Sequence, residues 1–195
     1  MSARLEVMLS AGRIAERTEE LAAQIGRDYA DREILVVSVL KGSFIFLADL
    51  VRKLQVPVRI DFLRVASYGA ATESTGMVQF RMDVDAPVTG RHVLIVEDIL
   101  DTGLTLDYLK RHLQSGQPAS LRTCTLLDKK GRRRVPFEAD YVGFSIDDRF
   151  VVGYGLDFDE HYRNLPDVCV LHQEMVEDTP NSAATHRGAL VKPND

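Results

Sequence analysis

Residues 93–105 read VLIVEDILDTGLT, and their chemistry is concentrated at one end. Four apolar residues, Val93 to Val96, suit a strand buried on both faces. Glu97 and Asp98 follow directly, then Asp101, Thr102 and Gly103. In an open parallel sheet, ligands bind beyond the carboxyl ends of the strands, which is where these acids would lie. Gly103 permits a tight backbone path, and Thr102 and Thr105 supply hydroxyls. The helix expected from Leu104 onward starts with amides that have no helical partner, and these can bind a phosphate. Bare carboxylates repel phosphate. A Mg²⁺ ion that takes oxygens from both resolves the conflict. The pattern therefore suggests a magnesium-bound, phosphorylated ligand with a second polar part. The bland alternative is that the three acids are solvated strand-end groups, with Asp101 capping the helix.

Two other phosphate-binding designs are missing. The chain has neither GxxxxGK[ST] nor a GxGxxG after a strand. Receiver domains also carry strand-end acids, but not this DTGLT loop. No CxxC, HExxH or paired Cys/His cluster marks a zinc site. Cys124 and Cys169 sit in apolar stretches and read as buried free thiols.

The elements that must position these residues follow from periodicity. Ser10 to about Tyr29 has an apolar stripe through Ile14, Leu21 and Ile25 and reads as a helix. EILVVSVLKG is a buried strand, FIFLADLVRKL a helix and VRIDFLRV a strand. ASYGAATESTGM, 66–77, is weakly patterned and suits an exposed loop able to close as a lid. VQFRMDVD reads as a short strand before a turn at Pro87 and Gly90. HVLIV is the next buried strand, and LTLDYLKRHLQSG a helix ending at Gly116. SLRTCTLL, ADYVGFSI, the start of FVVGYGLDF and DVCVLH are further strands. The alternation predicts an α/β fold with a mostly parallel central sheet flanked by helices.

With 195 residues, the chain suits one domain with a sizeable core. A net charge of -5 argues against nucleic-acid or membrane-surface binding, since both partners are anionic. No apolar run is long enough to span a membrane, so a cytoplasmic protein is expected. The polar stretch 178–195 reads as a disordered tail.

VLIVEDILDTGLTL resembles the phosphoribosyl-pyrophosphate motif of type I phosphoribosyltransferases, in detail that of the hypoxanthine-guanine branch. SVLKGSFIF, FLRVASYG, LLDKKGRRR and YVGFSIDDRFVVGYGLDFDEHYRNLPDVCVL resemble the same branch in the same order. The likeness runs over roughly residues 5–175. It implies the type I phosphoribosyltransferase fold, as one domain over 1–177 with a small hood built from chain-terminal segments. It also implies transfer of a phosphoribosyl group from phosphoribosyl pyrophosphate to hypoxanthine or guanine with Mg²⁺, giving IMP or GMP and pyrophosphate.

The resemblance also implies residue roles. Asp101 would be the general base near the purine N7. Asp101, Thr102, Gly103, Leu104 and Thr105 would hold the 5′-phosphate, with Glu97 and Asp98 around the ribose hydroxyls and the metal. Lys41 and Gly42 would form the pyrophosphate loop, with the Leu40–Lys41 peptide cis. Lys129 would donate to the purine 6-oxo group, Phe150 would stack on the ring, and Val151 would read its edge through the backbone. Asp157 would bind a Mg²⁺ shared with pyrophosphate, and Arg163 would clamp the leaving group. Ser67 and Tyr68 would belong to the lid. Asp128 would order the basic segment without taking part in chemistry. A homodimer or homotetramer acting on small molecules is implied. The rivals are a xanthine-preferring transferase and a nucleotide-sensing, RNA-binding regulator on the same fold. A Lys129 that reads an oxo group disfavours adenine, whose 6-amino group is a donor.

Overall fold

The computed structural model describes residues 4–67 and 78–172. Most of the proposed lid, including Tyr68, and the proposed tail lie outside the described residues. The elements run in the order β1 (Arg4–Leu9), α1 (Ala11–Asp28), β2 (Ile34–Leu40), α2 (Phe44–Val51), β3 (Val58–Ser67) and β4 (Val78–Met82). Then follow β5 (His92–Leu100), α3 (Leu104–Ser115), β6 (Ser120–Asp128), β7 (Tyr141–Ser145), β8 (Val151–Val152) and β9 (Val168–His172).

Six strands form the central sheet in the order β4-β3-β2-β5-β6-β7. Neighbours from β3 to β7 are parallel, and only the edge strand β4 is antiparallel. The central position of β2 and β5 follows from their composition. Ile34 to Val39 and Val93 to Val96 are buried without interruption, which only a sheet covered on both sides can accommodate. Alternate residues divide between two cores. Ile34, Val36, Leu94 and Val96 pack with Ile14, Leu21 and Ile25 of α1 and Phe46, Leu47 and Leu50 of α2. Leu35, Val37, Val93 and Ile95 pack on the other side with Leu106, Leu109 and Leu113 of α3.

The helices begin and end where local chemistry dictates. The Ser10 hydroxyl caps α1 by accepting from the Arg13 amide at 3.4 Å. Gly116 ends α3, as its position predicts. Helix α2 is shorter than FIFLADLVRKL suggests and stops at Val51. Among the described residues no helix is long and apolar enough to cross a membrane. Cys124 and Cys169 are free and buried.

β1, β9 and β8 form a separate three-stranded antiparallel sheet. β1 has no counterpart in the sequence reading. Its residues are mostly exposed, and its identity as a strand depends on pairing with β9, far away in the chain. Beyond β8 the chain turns through Gly153 and Gly155, at φ of 94° and 100°. A β-carbon on residue 155 would overlap the Gly42 carbonyl oxygen. This close approach seats the small assembly on the end of β2. Gly155→Ala combines a left-handed φ with that overlap and should cost about 2–3 kcal/mol. The expected readout is a lower urea midpoint at an unchanged slope.

Candidate active site

The carboxyl ends of β2, β5 and β6 converge, and the turn after β8 closes over them. β5 is longer than the HVLIV stretch suggested, so Glu97 and Asp98 lie within the strand and not past its end. The acids do not terminate the strand because Glu97 and Ile99 still pair with Thr125 and Leu127 of β6.

Burial dominates the electrostatics of Glu97 and Asp98. Part of Glu97 is accessible, but its Oε2 is buried with no hydrogen-bond partner. Burial pushes its carboxyl well above the ordinary range, and the adjacent Asp98 pushes the same way. Burial raises Asp98 as well, opposed by Glu97 and by the Ile99 amide, which donates to Asp98 Oδ1 at 2.8 Å. The other oxygen of Asp98 occupies the space where a β-carbon on residue 42 would stand, so only glycine fits there. The Leu40–Lys41 peptide just before it is cis.

After β5 the chain makes a phosphate-sized recess. Glu97, Ile99, Leu100, Asp101, Thr102, Gly103, Thr105 and Leu106 line a cavity of about 200 Å³. Gly103, at φ 84°, is the N-cap of α3, and no side chain caps the helix. Asp101 is therefore not the helix cap that the bland alternative made it. The Thr102 hydroxyl accepts from the Leu104 amide at 3.4 Å. The carbonyls of this loop are held from behind. Arg133 Nη1 donates to the carbonyls of Leu100, at 3.0 Å, and Asp101, and the Arg134 amide donates to Thr102 at 2.9 Å. Arg133 is itself paired with the buried Asp128, which gives Asp128 the ordering role expected of it.

Within the basic run, burial separates the two lysines. Lys129 is 5% exposed, whereas Lys130 lies at the surface. A solvated-face reading of this run thus fails at Lys129. The Lys129 amide donates to the Leu100 carbonyl at 2.9 Å, which draws the residue under the end of β5. Its Nζ lies 3.9 Å from Asp148 Oδ1. Arg132 joins this pair to Asp101, at 3.7 Å from Asp148 Oδ1 and 3.5 Å from Asp101 Oδ1. Asp101 Oδ1 is otherwise without a hydrogen bond.

Phe150 is 50% exposed and meets Phe158 edge-on at 5.6 Å, so it is not the core aromatic that its apolar neighbours suggest. Val151 is buried in β8 opposite Val170. Asp157 Oδ1 forms an ion pair with Arg163 Nη2 at 2.8 Å, and Arg163 Nη1 donates to the Gly155 carbonyl at 2.8 Å. Lys41 reaches the same neighbourhood through Glu160, at 2.9 Å. Ser67 ends β3 on the sheet's edge pair with β4. Sequence reasoning missed Arg132, Arg133, Asp148, Gly155 and Glu160. Only the charge run and the glycine pair hinted at them, and neither says which member turns inward.

A divalent cation would find oxygen donors here but no ready-made cage. Among the described residues no three acidic, imidazole or thiol groups converge. That suits Mg²⁺, which keeps waters and takes one or two carboxylates together with substrate phosphates. The unpartnered Glu97 Oε2 and the Asp157 carboxylate are the fitting donors.

Because the Glu97 carboxyl is raised in the fold, its ionisation destabilises the folded chain. That cost is absent below the ordinary carboxylate value and grows as pH rises through it. Glu97→Gln, free of ligand and magnesium, should therefore melt about 2–4 °C higher at pH 7. The gain should shrink as pH falls toward the ordinary glutamate value of about 4.3.

The phosphoribosyl transferase domain family matches residues 8–159. The hypoxanthine-guanine phosphoribosyltransferase of Aquifex aeolicus is 47% identical over 176 residues, covering 90% of this chain and 96% of its own. That of Mycobacterium bovis is 48% identical over 165 residues, covering 82% of each chain. A crystal structure of a Bacillus anthracis hypoxanthine-guanine phosphoribosyltransferase superposes with a TM-score of 0.82 at 45% identity, covering 88% of this chain and 100% of that one. The strand-end acids, the recess at Gly103 and the parallel sheet beneath them thus belong to a chain that is a member of the phosphoribosyl transferase domain family.

Proposed function

We propose that this protein transfers the 5-phosphoribosyl group of phosphoribosyl pyrophosphate to hypoxanthine or guanine, releasing pyrophosphate. The observation that carries this reading is the position of Asp101. It lies between the recess at Thr102–Thr105 and the Lys129–Asp148 pair, to which Arg132 links it. A sugar phosphate on one side and an oxo-purine on the other would put the reacting bond beside that carboxylate. The relatives named for the same reaction support the assignment.

In this reading the amides at the start of α3 hold the 5′-phosphate, and the carbonyls behind them are already occupied by Arg133 and Arg134. Glu97 and Asp98 face the ribose hydroxyls. Lys129 donates to the 6-oxo oxygen and stabilises negative character on the base. Purine N9 forms the bond to C1′ while the bond from C1′ to the pyrophosphate oxygen breaks, and the proton on N7 passes to Asp101. Phe150 covers one ring face and Val151 reads the ring edge. Lys41 and Arg163 take charge that develops on the leaving group, with Asp157 holding Arg163 in place. Magnesium, held by the donor's phosphates with Asp157 or Glu97, would neutralise that same charge. Ser67 and the lid would exclude water from the ribosyl centre. The functional unit is a homodimer or homotetramer in the cytoplasm.

Pyrophosphate release in the presence of magnesium, measured with hypoxanthine, guanine, xanthine and adenine, tests the proposal. Release with the first two and none with adenine is expected. Dominant release with xanthine would transfer the reading to the xanthine-preferring rival, and no release with any base would end it. Asp101→Asn should lower kcat about 100-fold with little change in melting temperature. Lys129→Met should lower kcat/KM for the oxo-purines roughly 10- to 100-fold, the worth of one hydrogen bond to a charged group. Steady-state kinetics on the two variants check both.

A further inference from the structure

Glu160 lies outside the residue roles set out so far, yet one of its oxygens touches two of the cations that have them. Its Oε2 lies 2.9 Å from Lys41 Nζ and 3.3 Å from Arg163 Nη2. These two side chains come from positions more than a hundred residues apart in the chain, and this single carboxylate joins them. We infer that the Glu160 carboxylate is an internal occupant of the pyrophosphate position, displaced when the donor binds and returning as pyrophosphate leaves.

The backbone presents Glu160 deliberately. Asp159, Glu160 and Tyr162 all have positive φ, at 50°, 62° and 74°. For residues with a β-carbon this is a costly conformation, tolerated where surrounding contacts determine it. Those contacts are present. The Glu160 amide donates to Asp157 Oδ2 at 2.9 Å, and Phe158 and His161 exchange backbone hydrogen bonds at 3.2 and 3.0 Å. The turn therefore points Glu160 at the cations while Asp157 holds the turn.

The two carboxylates on Arg163 differ in a way that fits exchange. Asp157 is the more enclosed, with a side chain 31% exposed, and its contact is the shorter. Glu160 is 61% exposed, and exposed pairs of this kind are weak. An incoming diphosphate brings more charge and more acceptor oxygens than one carboxylate, so it wins both cations. When it departs, Glu160 recaptures them and competes with rebinding. Glu160 is a positioning residue that keeps Lys41 and Arg163 directed at an anion position and tunes how tightly that position holds its product.

This inference rests on the assignment of Lys41 and Arg163 to pyrophosphate, and the test separates the two. Calorimetric titration with magnesium pyrophosphate is carried out on the unmodified protein and on Glu160→Gln, Glu160→Asp, Lys41→Met and Arg163→Gln. Glu160→Gln should bind pyrophosphate about 2- to 10-fold more tightly, the worth of two exposed ion pairs. Glu160→Asp keeps the charge on a shorter stem and should fall between it and the unmodified protein. Adding Glu160→Gln to Lys41→Met should give a smaller gain. Unchanged or weaker binding in Glu160→Gln overturns the inference, weaker binding because it would make Glu160 a ligand. If neither Lys41→Met nor Arg163→Gln weakens binding, the assignment of the pyrophosphate position fails as well.

Discussion

The site depends on a close approach at Gly42 that leaves no room for a side chain on residue 42 or residue 155. Asp98 presses its carboxylate against Gly42 from one direction, and Gly155 presses its backbone against the Gly42 carbonyl from another. The ends of β2 and β5 and the turn after β8 are thereby brought within contact of one another. Each contributes a different chemical group: the Lys41 cation, buried acids, and the Asp157–Arg163 pair. Adding one methyl group at either glycine would push these segments apart.

Placing the acids there has an electrostatic cost. Glu97 and Asp98 are buried side by side, and both carboxyls are pushed upward. Surrounding structure bears this cost: two hydrophobic layers cover the sheet, and strand pairing continues past the acids to Leu100. The cations are treated differently. Lys129 is buried next to Asp148, while Lys41, at 45% side-chain exposure, and Arg163, at 19%, share the exposed Glu160. Under the proposed reading, a lysine that reads an uncharged base benefits from exclusion of water, and cations that release a highly charged product benefit from a weak, exposed counterion.

Much of this architecture was legible in the residues. The apolar run Ile34–Val39, broken only by the buried Ser38, and the run Val93–Val96 require a doubly covered sheet, and the helical periods of α1 and α3 supply its covers. The DTG turn was legible because Gly103 alone in that stretch adopts a left-handed φ without cost. Other features were hidden for identifiable reasons. β1 is a strand only because β9 returns to pair with it. Asp148 and Arg132 look like any members of a charged stretch until the fold turns them toward Lys129 and Asp101.

The sequence by itself determined the class of fold, the order of the central-sheet strands and their helices, and the turn at Gly103, because hydrophobic period and turn chemistry are local properties. Only the tertiary structure decided which of Lys129 and Lys130 is buried, that Asp101 is free of capping, and that Glu160 joins Lys41 to Arg163. Those outcomes depend on contacts between segments distant in the chain. Charge pairing and burial are set by what the fold brings near, and no local pattern encodes the neighbour.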